Sequence, residues 1–111
     1  FNEEPTANNV QSLKSAGLVN LMDPMVGKAK TGTYVFRGED SLVDQIIIHN
    51  NLKDNYGLTI ESESVYILDR PKYRQQEGRY AHYPFRFWAG NRLLGGYSDH
   101  LAIRVLIKKL D

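Results

Sequence analysis

The sequence predicts an α+β fold of mainly antiparallel strands with one N-terminal helix, and three observations carry that prediction. Val10, Leu13 and Leu18 fall at i, i+3 and i+8 about Gly17. A β-branched and aromatic run over residues 33–37 is followed, after Gly38-Glu39-Asp40, by an apolar return over residues 41–48. Residues 101–110 alternate, with Leu101, Ile103, Val105 and Ile107 set against Ala102, Arg104, Leu106 and Lys108.

Each element has a local reason. Pro5 suits the first turn of a helix, Glu3 and Glu4 suit the positive end of its dipole, and Thr6 offers a side-chain cap. Gly17 then stops the helix as a left-handed cap. Residues 20–31 read as a loop carrying Asp23-Pro24 and Gly27. The run Thr33-Tyr34-Val35-Phe36-Arg37 and its return predict a hairpin that turns at residues 38–40. Ile46-Ile47-Ile48 does not alternate, so this strand is expected to be covered on both faces. Residues 50–56 form a short helical turn ended by Gly57, and Ser64-Val65-Tyr66-Ile67-Leu68 forms a third strand before the alternating fourth.

Composition narrows the class. With 41% apolar and 24% charged residues, the 111-residue chain is neither disordered nor low-complexity, and its length fits one small domain or part of one. No aliphatic run exceeds three residues, so there is no transmembrane segment. The absence of cysteine excludes a disulfide framework, a thiolate zinc site and a thiol nucleophile, and fits a cytoplasmic or a secreted location equally. The chain opens on Phe1 rather than Met, which reads as a cut point.

Residues 70–92 stand apart. Six basic side chains (Arg70, Lys72, Arg74, Arg79, Arg86, Arg92) face one acid, Glu77, so this stretch carries +5 in a chain of net charge +1. Tyr73, Tyr80, Tyr83, Phe85, Phe87 and Trp88 interleave with that charge. Arg79, Tyr80, Arg86 and Trp88 are the candidate substrate-binding residues. A nucleic-acid surface fits them, with cations on phosphates and rings on bases. A phosphorylated small molecule fits as well, and so does an apolar flap with solvated arginines.

Two further residues carry candidate chemistry. Asp99-His100 places a carboxylate beside an imidazole at the start of a strand, where they serve as metal ligand and general acid or base, or where Ser98-Asp99 merely caps a turn. Asp44 interrupts an apolar strand, which is costly for an unpaired carboxylate. Either an imidazole, with His100 the natural candidate, pairs with it, or it faces solvent at an edge. His49 and His82 read as structural, and Glu3-Glu4 as dipole partners rather than a paired-carboxylate site.

Phe1-Asn2, Gly32-Thr33-Tyr34 with Leu42-Val43-Asp44-Gln45-Ile46-Ile47, and Gly96-Tyr97-Ser98-Asp99-His100-Leu101-Ala102-Ile103 occur in that order. They resemble the Gly-Asp-Phe-Asn tail, the Gly-Thr-Tyr and hydrophobic-Asp-hydrophobic strands, and the Ser-Asp-His motif of the endonuclease/exonuclease/phosphatase family, the deoxyribonuclease-I-like phosphoesterases. The resemblance spans essentially the whole chain. It implies the C-terminal half of a two-sheet α/β sandwich, residues 1–111 being that part of one domain with the N-terminal half absent.

It further implies a metal-dependent phosphoesterase acting by in-line water attack. His100 would be the catalytic imidazole, Asp44 its orienting partner, Asn2 a holder of the scissile phosphate or attacking water, and Asp99 a ligand of Mg²⁺ or Mn²⁺. The family's principal metal-binding Glu and second catalytic His lie in the other half. The metal site is therefore expected to be incomplete and the 111 residues inactive alone, with an exposed sheet face covered by the missing half or by a second copy. A non-catalytic binding module that keeps the fold is the alternative, and an unrelated α+β domain with a chance Ser-Asp-His is the third reading.

Overall fold

In the computed structural model, which describes residues 1–111, one α-helix is followed by ten short strands and three 3₁₀ turns. Helix α1 spans Asn8–Ser15. The strands are β1 (Leu18–Asn20), β2 (Tyr34–Phe36), β3 (Glu39–Ser41), β4 (Ile47–His49), β5 (Leu58–Ile60), β6 (Tyr66–Ile67), β7 (Trp88–Ala89), β8 (Arg92–Leu93), β9 (Ile103–Arg104) and β10 (Ile107–Lys109). They pair antiparallel as β1–β4, β2–β3, β5–β10, β6–β9 and β7–β8, five separate two-stranded ladders. The expected α+β, antiparallel class is what the chain adopts. No helix is long and apolar enough to cross a membrane.

The helix begins later than its sequence signals indicate. Ala7 occupies the cap position with extended backbone and no side-chain bond, so Thr6 does not cap. Glu4 Oε1 instead accepts a bond from the Leu42 N–H at 2.9 Å, and Glu3 Oε1 accepts one from Asn9 Nδ2 at 2.9 Å. A hydrogen bond to a charged group contributes roughly 1.5–3 kcal/mol, against about 0.3–1 kcal/mol for a helix dipole, so the direct bonds win. Gly17, at φ +86°, ends the helix as expected.

The hairpin forms, but its turn sits at Arg37-Gly38, with φ of +49° and +83°. A two-residue turn of this kind needs positive φ at both positions. Glu39 and Asp40 therefore belong to β3 and face Phe36 and Val35. The return strand also breaks after Ser41, and β4 resumes at Ile47 to pair with β1, a strand within the expected loop. Ile46 and Ile47 are only half-buried, so the run is not covered on both faces. Residues 101–110 likewise divide between two partners: β9 takes β6 and β10 takes β5, a strand without a clear sequence signal. Ser64 Oγ holds the Leu106 N–H at the break, 3.0 Å away.

The basic segment is not an open loop. A 3₁₀ turn at Pro71–Tyr73, a bridge between Arg74 and Pro84, and the β7–β8 hairpin give it structure. Residues 83–87 are bonded on both flanks. On one side the Phe85 N–H donates to Tyr73 O and the Gln75 N–H to Tyr83 O, both at 2.8 Å. On the other, Phe87 O accepts from the Leu94 N–H at 2.8 Å and Phe85 O from the Tyr97 N–H at 2.6 Å.

Arg74 clamps this segment. Its Nε and Nη2 grip both oxygens of Asp69 at 2.7 and 2.9 Å, and Nη1 donates to His82 O. The Asp69 bond, aided by the charges of Asp69 and Asp40, raises the Arg74 pKa despite the opposing effect of burial. Arg74→Lys loses the two-pronged geometry, and chemical denaturation is expected to show a loss of about 1–2 kcal/mol; an unchanged midpoint would mean that the clamp is dispensable.

Burial is sparse. Val10, Met22, Val35, Leu42, Ile48 and Leu101 are the buried apolar residues of the core. The radius of gyration is 16.1 Å, whereas a compact domain of this length has roughly 13 Å. Leu58, Ile60 and Ile107 share one face of the β5–β10 ladder with Lys109 by register, and Leu58 and Ile107 are more than half exposed. Ile60, in contrast, is half-buried.

Candidate functional site

Three stretches distant in sequence converge on His100. The Leu101 N–H donates to Thr33 O at 2.7 Å, seating the start of the last extended stretch beside β2. Tyr34 then lies against the His100 ring, with centroids 5.0 Å apart. Gly32 permits the close approach of Asp40-Ser41 across the hairpin, since a Cβ there would meet Ser41 N at 2.7 Å. Between β3 and β4, Asp44 extends toward the same imidazole, and His100 Nδ1 stands 2.6 Å from Asp44 Oδ2.

The carboxylate accepts only, so neutral His100 carries its proton on Nδ1, donates it to Asp44, and leaves Nε2 free. Both side chains remain reachable from solvent, at 26% and 30% exposure. Together with Phe1, Ser98 and Ile103 they line a shallow open cleft of about 340 Å³. Ser98 Oγ accepts a bond from the His100 N–H at 3.1 Å, which shapes the turn carrying the imidazole. Sequence reasoning quoted Tyr34 as part of a motif but assigned it no place against His100; its position just after Gly32-Thr33 was the available signal.

Asn2 is brought to the same neighbourhood by its flanking backbone. The Glu3 N–H donates to Val43 O at 3.2 Å, and Gln45 Nε2 donates to Glu3 O at 2.8 Å. Asn2 is exposed, holds a left-handed φ of +54°, and makes no side-chain hydrogen bond within the chain. Asn tolerates that backbone better than most residues. Asp99 is exposed and unpaired beside His100.

A divalent Mg²⁺ or Mn²⁺ is a hard cation that takes about six oxygen ligands. Asp44 is committed to His100, which leaves Asp99 as the one free carboxylate of this loop. No three His, Cys, Asp or Glu side chains cluster anywhere in the chain. The residues present do not fit a preformed divalent-cation site.

The four residues singled out in the basic segment separate. Tyr80 and Arg86 line a cleft of about 430 Å³ with Tyr83 and Arg92. Arg79 lies 5.5 Å over the Tyr80 ring. Trp88 packs edge-on against Phe87, half exposed, and does not line the cleft. Arg92 and Tyr83 were not singled out, although both lay in the basic, aromatic stretch.

A family model described as the endonuclease/exonuclease/phosphatase family matches residues 2–109. No curated protein and no solved structure matches the chain.

Proposed function

Because the chain belongs to the endonuclease/exonuclease/phosphatase family, we propose that it contributes the His100–Asp44 dyad to a metal-dependent phosphoesterase. The observation that carries the proposal is the 2.6 Å contact between His100 Nδ1 and Asp44 Oδ2, made across 56 residues of sequence. In hydrolysis the oxygen of a water forms a bond to phosphorus, and the bond from phosphorus to the leaving ester oxygen breaks. His100 Nε2 takes the proton of that water or, when already protonated, donates to a phosphoryl oxygen. Asp44 holds the tautomer and supports the imidazolium. Asn2 and Asp99 are proposed to face the phosphate and a Mg²⁺ or Mn²⁺ respectively.

Residues 1–111 are further proposed to form the C-terminal part of one two-sheet sandwich domain, with the apolar β5–β10 face as an inner face. The low burial, the wide radius of gyration and the single free carboxylate at the site support this. An exposed apolar face is covered where a partner exists, and the partner proposed is the domain's other half, or a second copy in its absence. A binding module that keeps the fold without turnover also agrees with the lack of a three-ligand cluster.

One experiment separates these readings. The complete gene product and the 111 residues alone are assayed with Mg²⁺ or Mn²⁺ on bis(p-nitrophenyl) phosphate and on phosphomonoesters, and sedimented in parallel. Turnover is expected from the first only, with the 111 residues self-associating. Turnover by a monodisperse 12.7 kDa monomer overturns the half-domain reading. No turnover by either overturns the catalytic one.

A further inference from the structure

We propose that the cleft between the Gln75–Tyr83 stretch and the β7–β8 hairpin binds a unit of single-stranded nucleic acid, its base against the tyrosines and its phosphates against the arginines. The proposal rests on the phosphoesterase reading and deepens it by naming the substrate class. At about 430 Å³, the cleft lies within the roughly 300–1,000 Å³ of small-ligand sites.

Its lining selects for charge first. Arg86 and Arg92 face it, neither pairs with a carboxylate, and no acidic residue lines it. Arg74, the arginine that holds the segment together, has Asp69 and Asp40 as partners. Of these three arginines, one is neutralised by the fold and two are left for an anion. Arg79, over the Tyr80 ring, adds a third cation at the rim.

The lining selects for a flat ring second. Tyr80 and Tyr83 meet edge to face with centroids 5.2 Å apart. Tyr83 is fixed in place because its hydroxyl accepts a bond from the Gly38 N–H at 2.8 Å. Tyr80 is nearly half exposed, so ring surface not covered by Arg79 is open to a base. A phosphate ester without a ring satisfies the arginines and leaves the tyrosines idle. Bases within a duplex are already stacked and do not reach a tyrosine face, whereas those of a single strand do.

The cleft is also tied to the dyad. Arg86 O accepts from the Gly96 N–H at 3.2 Å, and Phe85 O accepts from the Tyr97 and Ser98 N–H groups at 2.6 and 3.2 Å. The residue that lines the cleft with its side chain therefore holds, through its main chain, the loop that carries His100.

The test is fluorescence anisotropy of labelled oligothymidylate with the complete gene product carrying His100→Gln, so that binding is read without turnover. Three arginine–phosphate contacts predict a log–log salt slope of about −2. Arg86→Gln with Arg92→Gln is expected to flatten that slope by about 1.4. Tyr80→Leu is expected to weaken binding about 10-fold, with Tyr80→Phe restoring it. Binding unchanged in Tyr80→Leu, equal or tighter binding of a duplex of the same length, or displacement by inositol hexakisphosphate at the oligonucleotide's own affinity overturns the proposal. Hydrolysis of a simple diester with no oligothymidylate binding sinks this inference alone, and binding without any hydrolysis sinks the phosphoesterase reading alone.

Discussion

His100→Gln in the complete gene product is expected to lower the rate of phosphoester hydrolysis by about 10²–10⁴-fold, the usual contribution of a positioned acid or base. The reason is geometric. Asp44 holds Nδ1 and leaves Nε2 as the group that meets water or phosphate. Glutamine occupies similar space but cannot take a proton there. Asp44→Asn is the sharper probe, because the ring stays beside Tyr34 while its tautomer and charge support are lost. It is expected to lower kcat by a comparable factor and to leave KM nearly unchanged, whereas a mere packing role would move stability and not this ratio. The double variant should be little worse than either single one, since the two side chains act as a unit. Steady-state kinetics of all three decide it; full activity in Asp44→Asn would remove the dyad from the mechanism.

Gly96→Ala is expected to be the most damaging small substitution in the chain. A Cβ at position 96 would stand 2.1 Å from Phe85 O and 2.6 Å from Arg86 O, both backbone atoms already bonded to this loop. Backbone cannot swing aside as a side-chain tip does. Forcing extra volume into such contacts costs roughly 1–3 kcal/mol, occasionally more. Here the atoms that must move also carry the turn of His100. Gly95→Ala is the control: position 95 has φ +77° but open space around a Cβ, so only the left-handed backbone opposes it, at about 1–2 kcal/mol. Thermal melts are expected to place Gly96→Ala below Gly95→Ala, with activity lost in step. The reverse order would mean that the loop does not depend on its contact with residues 85 and 86.

Much of the architecture was legible because local chemistry dictates it. Gly17 ends a helix wherever left-handed backbone is needed, and Gly38 makes a tight hairpin after a β-branched and aromatic run. The pairing of Asp44 with an imidazole was legible only as one of two options, since a carboxylate in an apolar stretch needs either a partner or a solvent-facing edge, and the structure shows the partner. The split of residues 101–110 between β5 and β6 was not, because alternation states which face a residue takes and not which strand it meets. The capture of Glu4 by the Leu42 N–H was hidden for the same reason: its partner lies 38 residues away.

By itself, then, the sequence determined the α+β class, the family and the residue types of the dyad, all consequences of periodicity, turn chemistry and motif order. Only the tertiary structure decided that Arg74 is spent on Asp69 while Arg86 and Arg92 remain free, and that Gly96 is required by close approach and not by its own backbone. Only it showed Leu58 and Ile107 of the β5–β10 ladder left exposed. Those outcomes depend on distances between segments far apart in the chain, where Coulomb attraction, hydrogen bonding and steric exclusion act without leaving a local pattern.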